Sequence, residues 1–238
     1  MIDVVLAAGY ATRMYPLTEN FPKPLLEIKG KAILDTLLED IDSIDEVSEH
    51  VIVTNHKFFR LFCDWKERTR LKKAVTIIDD GSVDNDHRVG AVRDLILAIG
   101  DDSSNDYLVV AADNILDFSL QGFVDFFREK GSSVIMCYNE PSIKALQRTG
   151  VITVDDEDLV LEMEEKPQCP KSNLAVPPFY IYSHSDLELI KNCIENGCGF
   201  DAPGNLACYL CRKTTVHAYH MPGKRLDIGD LETYYKIR

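Results

Sequence analysis

The sequence predicts an α/β fold: a mixed, mainly parallel sheet flanked by helices, with a small antiparallel extension, in a single domain over residues 1–238. Three observations predict it. Apolar runs rich in β-branched residues alternate with amphipathic segments through the first half of the chain. After Gly150 the pattern changes to shorter strands, and no linker, repeat or low-complexity segment divides the chain.

In chain order, residues 2–7 (IDVVLA), 50–55 (HVIVTN), 74–79 (AVTIID), 107–113 (YLVVAAD) and 133–139 (SVIMCYN) read as buried strands. A strand covered on both faces is apolar throughout rather than alternating. Between them, residues 32–41, 57–69, 91–100 and 120–131 place apolar residues three and four apart, which gathers them on one face of a helix. The last two segments end on glycine, a favoured helix terminator. Repeated strand–helix–strand units close into parallel ladders with helices on the faces. Residues 151–155, 159–167 and 179–183 then read as the antiparallel extension, with a helix over 186–196.

Composition narrows the partners. The formal net charge is −13 and 45% of residues are hydrophobic. Nucleic acid is disfavoured as a partner, because a phosphate backbone needs a basic surface, so any phosphate site must be a local basic pocket. No apolar run reaches the roughly 18 residues of a membrane span, and the start lacks a signal-peptide pattern. A cytoplasmic location with no membrane partner is the expectation. The seven cysteines are odd in number and scattered. Cys193, Cys198, Cys208 and Cys211 could offer thiolates to zinc, but the first pair is spaced too widely for a zinc knuckle, and buried reduced thiols are expected.

The stretch LAAGYATRMYPLTENFPKPLL, residues 6–26, leaves the first strand at its carboxyl end, where open α/β sheets bind ligands. Gly9, flanked by Ala8 and Ala11, lets backbone amides approach a phosphate. Arg13 and Lys23 supply two cations, and Pro16, Pro22 and Pro24 stiffen the path between them. A glycine and a solvated arginine are ordinary in a strand-to-helix loop. Their coincidence with a second cation and three prolines points instead to a polyphosphate site. The G-x-x-x-x-G-K-[ST] and G-x-G-x-x-G loops are both absent.

LAAGYATRMYPLT and PKPLL resemble the signature of the nucleoside-diphosphate-sugar pyrophosphorylases, or sugar-1-phosphate nucleotidylyltransferases. That signature is L-A-[GA]-G-x-G-T-R-[LM]-x-P-L-T followed by P-K-P-[LM], and Ala11 stands where the family usually has its last glycine. VVAADN (109–114), EEKP (164–167) and LDIGDLETYY (226–235) are similar to later family segments, in the family's order. PKSNLAV (170–176) and FDAPG (200–204) look most like the glucose-1-phosphate thymidylyltransferase and mannose-1-phosphate guanylyltransferase branches.

The resemblance implies a Rossmann-like, GT-A type nucleotidyltransferase fold. It also implies a nucleoside triphosphate and a sugar 1-phosphate as partners, Mg²⁺ as cofactor, and transfer of a nucleoside monophosphate with release of pyrophosphate. A homodimer is left open. By resemblance, Arg13, Lys23 and Asp113 are the catalytic groups, and Asp113 and Asp227 hold Mg²⁺. Leu6, Ala8, Gly9, Asp80, Gly90, Asn114, Glu165, Lys166 and Asn173 bind substrate, with Lys166 on the sugar phosphate and Glu165 on sugar hydroxyls.

The chemistry asks for such residues independently, since nucleotidyl transfer is mostly alignment and neutralisation of phosphate charge. The base-reading segment is less specific. In residues 79–95 Gly90 fits a close approach to the base, and Asp80, Gly81, Asn85 and Arg88 could contact base or sugar. Thymidine, uridine, cytidine and guanosine triphosphates all remain open. Ala11 carries a Cβ that restricts positive φ, so a slightly altered loop backbone is expected. Replacing Arg13 or Lys23, both in a loop, is expected to cost little stability.

Two alternatives stand beside this one. A phosphocholine cytidylyltransferase-like enzyme would need an aromatic cage, for which Tyr180 and Tyr182 alone are insufficient. A catalytically dead nucleotide-sugar-binding regulatory subunit would usually lose a metal carboxylate or a loop cation, and this chain keeps Arg13, Lys23, Asp113 and Asp227.

Overall fold

The computed structural model describes residues 1–238. β1 (Ile2–Leu6), β2 (Glu27–Ile28), β3 (Lys31–Ala32), α1 (Ile33–Asp42), β4 (Glu49–Thr54), α2 (His56–Lys66) and β5 (Ala74–Asp79) come first. α3 (Ala91–Ile99), β6 (Tyr107–Ala111), β7 (Asn114–Leu116), α4 (Gln121–Lys130), β8 (Ser133–Asn139) and α5 (Ile143–Leu146) follow. β9 (Gly150–Val154), β10 (Val160–Glu165), β11 (Leu174–Val176), β12 (Phe179–Tyr182), α6 (Leu187–Lys191), α7 (Pro203–Cys211), β13 (Val216–His220), β14 (Arg225–Asp227) and α8 (Leu231–Ile237) complete the chain. Two compact units emerge: residues 1–89, 110–121 and 223–238 form the first, and residues 90–109 and 122–222 the second.

In the first unit β1, β4 and β5 make a parallel ladder, with Val4 opposite Val51 and Val51 opposite Thr76. Val4 and Val5 are fully buried, as the unbroken apolar run requires. α1 buries Ile33, Leu34, Leu37, Leu38 and Ile41, the apolar face set by its three- and four-residue spacing. α2 starts at Asn55, whose side chain accepts a hydrogen bond from Phe58 N at 2.9 Å and so satisfies an otherwise orphan helix donor. Met14, Leu26, Ile33, Ile228 and Tyr234 form one apolar cluster, so the early loop and the last helix share a core.

His50 on β4 is fully buried between two carboxylates. Its Nδ1 lies 2.8 Å from Asp3 Oδ2 and its Nε2 lies 3.4 Å from Asp42 Oδ1. Asp42 also accepts the backbone N–H groups of Lys72 and Lys73, both at 2.9 Å at their closest. Burial pushes the imidazole pKa down, but the hydrogen bonds and charges of Asp3 and Asp42 outweigh it, and the net shift is upward.

In the second unit β8 is central. It pairs antiparallel with β12 and β11 and parallel with β13, while β9 joins β11 to β10 through antiparallel ladders. Val134, Ile135, Met136 and Cys137 on β8 are fully buried. Parallel and antiparallel ladders with covering helices make up the mixed α/β class that the sequence predicts. No helix is long and apolar enough to cross a membrane. All seven cysteines are free thiols, with Cys193, Cys198 and Cys208 buried.

Among the boundaries that differ from the sequence expectation, two change an element's extent or type. The strand expected over 107–113 stops at Ala111, because Asn114 Nδ2 donates to Ala111 O at 3.1 Å and folds the chain into a turn that holds Ala112 and Asp113. The helix expected over 186–196 is a 3₁₀ turn, His184–Asp186, running into the short α6. Missing from the sequence reading altogether are the short strands β2, β3, β7, β11, β13 and β14.

Candidate active site

A cavity of about 380 Å³ opens in the first unit at the carboxyl end of β1. Its lining includes Leu6, Gly9, Ala11, Arg13, Lys23, Asn85, Arg88, Asp113 and Asp227. In a chain of net charge −13, three cations against two carboxylates make this a local basic pocket.

Local bonding explains how the loop is presented. Ala7 N donates to Val53 O at 2.8 Å, prolonging the β1–β4 ladder, and Asn55 Nδ2 holds Ala8 O at 3.0 Å. Tyr10 turns inward, its hydroxyl donating to Ser82 O at 2.9 Å. Gly9 is left exposed between these two anchors. A Cβ at Gly9 would meet no protein atom within 4 Å, so crowding inside the protein does not ask for glycine there.

Ala11 takes the left-handed conformation, φ 46° and ψ 43°. The expected deviation of the loop is therefore absent in kind: alanine adopts the positive φ that glycine would reach at lower cost. Its carbonyl anchors the turn, accepting from Met14 N at 2.9 Å and from Thr18 Oγ1 at 2.8 Å. The 3₁₀ turn Thr12–Met14 then buries Met14 and leaves Arg13 exposed on the cavity.

Lys23 opens a second 3₁₀ turn, in which Leu26 N donates to Lys23 O at 3.1 Å. It is only 7% exposed. Its Nζ donates to Asp113 Oδ2 at 2.7 Å and lies 3.9 Å from Asp227 Oδ1. This corrects the expectation that replacing Lys23 costs little stability, because a buried ammonium paired with a carboxylate also supports the fold.

The two carboxylates meet through the pairing of β7 with β14, which sets Asp227 opposite Asn114, the neighbour of Asp113. Asn114 Nδ2 donates to Asp113 Oδ1 at 3.0 Å, and Asn114 Oδ1 accepts from Arg225 Nη1 at 2.7 Å. Arg225 Nη1 in turn lies 3.5 Å from Asp227 Oδ2. Lys23, Asp113, Asn114, Arg225 and Asp227 thus form a closed ring. Asn114, expected among the substrate-binding residues, is fully buried, so its side chain serves Asp113 and Arg225. Arg225 was not anticipated. The available signal was its place two residues before Asp227, which on a strand puts both side chains on one face.

Other expected residues lie elsewhere. Ala8 is held by Asn55 and does not line the cavity. Asp80 also stands outside the lining: its Oδ1 accepts from Ser82 N and Ser82 Oγ, both at 2.7 Å, closing its own turn. Burial raises its pKa, with those hydrogen bonds opposing. Asn85 and Arg88, from the same segment, do line the cavity.

Gly90, Glu165, Lys166 and Asn173 belong to the second unit. Gly90 caps α3 at φ 102°, where a Cβ would come within 2.6 Å of Phe200 O, so glycine is required on steric grounds. Glu165 ends β10 with its side chain 16% exposed, and Oε1 is 3.7 Å from Lys166 Nζ. Burial raises its pKa, and the Lys166 charge opposes. Asn173 is exposed, and its carbonyl accepts from Glu140 N at 2.8 Å.

The family model described as Nucleotidyl transferase matches residues 2–238. The chain is 28% identical over 229 residues to the bifunctional protein GlmU of Methanocaldococcus jannaschii, a match covering 96% of this chain and 51% of that protein. The chain therefore spans about half the length of that relative. It is 27% identical over 238 residues to the UTP–glucose-1-phosphate uridylyltransferase AglF of Haloferax volcanii, covering 96% of this chain and 91% of that one. In fold it is similar to a UDP-glucose pyrophosphorylase solved with UDP-glucose, at a TM-score of 0.82 and 21% identity over 100% of this chain and 99% of that chain. With the family match running from residue 2 to the last residue, and the loop, the paired carboxylates and the fold all in agreement, this chain belongs to the nucleotidyl transferase family.

Proposed function

We propose that the protein transfers a nucleoside monophosphate from a nucleoside triphosphate to a sugar 1-phosphate, giving a nucleoside-diphosphate sugar and pyrophosphate. The observation that carries this is the gathering of Gly9, Arg13, Lys23, Asp113 and Asp227 on one cavity. In this reading Arg13 and Lys23 bind the triphosphate and neutralise the charge that builds on the departing pyrophosphate. Exposed backbone at Gly9 supplies the close approach to the phosphates. Two units interleaved in sequence, both inside the family match, are read as one nucleotidyltransferase domain.

The donor set fits Mg²⁺. Asp113 and Asp227 already converge on one cationic centre, Lys23 Nζ, and no third His, Cys, Asp or Glu joins them in a cage. Mg²⁺ takes one or two carboxylates and completes its shell with water and phosphate oxygens. When bound it would polarise the α-phosphate for attack. The protein's own share is to hold the two carboxylates in register and to supply Lys23 and Arg13 to the phosphates.

Glu165 and Lys166 are assigned to the acceptor, the lysine to its phosphate and the carboxylate to its hydroxyls. A sugar is favoured over phosphocholine because Tyr180 and Tyr182 stack on each other at 5.7 Å and are 3% and 1% exposed, which leaves no aromatic face for a quaternary ammonium. A cytoplasmic location is kept with this reading, in line with the free thiols. Pyrophosphate release is the test, with five nucleoside triphosphates against a panel of sugar 1-phosphates and phosphocholine. ATP joins the four candidates from the sequence because some relatives are named adenylyltransferases. Turnover with a sugar 1-phosphate and none with phosphocholine is expected; the reverse, or no turnover with any pair, overturns the proposal.

A further inference from the structure

The carboxylate of Glu165 rests on the first turn of α7, against a residue with no side chain. A Cβ at Gly204 would stand 2.8 Å from Glu165 Cδ and 3.4 Å from Oε1, and nearer still to Oε2. At Gly150, on the neighbouring strand, a Cβ would stand 3.2 Å from the same Oε2. The carboxyl group therefore occupies the volume that a side chain at Gly204 would take. No left-handed backbone accounts for this glycine, since Gly204 is absent from the positive-φ positions and sits inside a nine-residue helix. Glycine is a poor helix former there, and alanine would be the better choice for α7 itself. What the missing side chain allows is the seat of Glu165.

We infer that Gly204 is a positioning residue for the acceptor: its bare backbone seats the Glu165 carboxylate, and any side chain at 204 displaces that carboxylate from the acceptor. This rests on the assignment of Glu165 to the acceptor made above. The atoms in overlap are the far end of a flexible side chain, so the fold can relieve the clash by turning Glu165 away. The loss then falls on acceptor binding rather than on stability. Upward displacement of the Glu165 pKa by burial agrees with a seat that strips water from the carboxylate, which strengthens its hydrogen bonds to hydroxyl groups.

The test compares Gly204→Ala, Glu165→Ala and the double variant by steady-state kinetics and thermal unfolding. The acceptor is glucose 1-phosphate, or whichever sugar 1-phosphate of the panel the wild type turns over. Gly204→Ala is expected to raise the acceptor KM about tenfold, to leave the nucleotide KM unchanged, and to keep the melting temperature or raise it by about 2 °C. In the Glu165→Ala background the same substitution is expected to change neither KM, because its only route to the acceptor is gone. An unchanged acceptor KM in Gly204→Ala beside a raised one in Glu165→Ala overturns the inference. So does a Gly204→Ala protein that melts several degrees early. An unchanged acceptor KM in Glu165→Ala, or a wild type that turns over no sugar 1-phosphate, instead overturns the assignment of Glu165.

Discussion

In the first unit Asp113 and Asp227 are 35% and 51% exposed and are held by Lys23 and Arg225; in the second, Glu165 is 16% exposed and is held by the absence of a side chain at Gly204. The first arrangement is built from charge. Each carboxylate meets a cation, so its geometry answers to changes of charge and hydrogen-bond reach. The second is built from shape. Its single nearby cation stands 3.7 Å away on an exposed side chain, and the glycine surface fixes where the carboxylate lies. Charge pairing should suit a site that gives up its partners when phosphates arrive. A steric seat suits one that must keep its geometry while neutral hydroxyl groups come and go.

The largest break in this contrast is expected from the ring's cations. Lys23→Ala should lower the rate of pyrophosphate release by about 10²-fold or more, since an oriented charge on the leaving group is lost. It should also cost about 1–2 kcal/mol of stability, because Asp113 loses its partner at 2.7 Å. Arg13→Ala should cause a rate loss of similar order with no change in the unfolding midpoint, because Arg13 is exposed. Equal midpoint shifts in the two variants would show that burial of Lys23 carries no weight.

Arg225 sharpens the contrast at the next level. Arg225→Met removes the group that reaches both Asn114 Oδ1 and Asp227 Oδ2. On the proposed role of Asp113 and Asp227 in holding Mg²⁺, the divalent-cation concentration for half-maximal activity should rise about tenfold. Arg225→Lys, with charge kept but the planar fork lost, should show most of that rise. A lysine variant equal to wild type would mean that charge alone sustains the ring.

His50 provides a charge-built arrangement that is fully buried, and so a control for exposure. Its folded pKa lies above 6.5, so its contribution to stability is fully present below about pH 6.5 and is lost as pH rises through the higher folded value. Denaturant titrations of the wild type should show stability falling across that window, and His50→Gln should flatten the fall. The smallest effect belongs to Ala11→Gly. Left-handed alanine costs roughly 1 kcal/mol, and glycine gives back a similar amount through the freedom of the unfolded chain. A midpoint change within about 0.5 kcal/mol is expected. A larger stabilisation would show that the loop stores strain.

Much of the first unit was legible in the sequence for physical reasons. A parallel strand buried on both faces writes an unbroken apolar run, and the loop that lines the cavity writes small residues, cations and prolines side by side. The convergence of Asp113 and Asp227 on one cavity was legible through the motifs around them. Arg225 and the inward turn of Asn114 were not, since both depend on β7 and β14, three-residue strands with no room for periodicity that pair across more than a hundred residues of chain. Ala11 misled in the other direction: its identity argued against positive φ, and the bonds on its carbonyl hold it there. For Asp80 the local turn won, its oxygen being taken by Ser82 two residues on. Gly204 is legible in the sequence only as the end of FDAPG, and nothing local marks the Glu165 side chain, 39 residues earlier, that lies on it.

The ring of five side chains also depends on three separate stretches of the chain. Lys23 comes from the stretch 1–89, Asp113 and Asn114 from 110–121, and Arg225 and Asp227 from 223–238, three separate pieces of one unit. No contiguous fragment that omits any of these pieces carries the whole ring. Splitting the chain at any of the four passages between units leaves the charges apart until the fragments reassociate. Split halves of this protein would therefore regain turnover only as fast as they find each other, and recovered activity would report association directly.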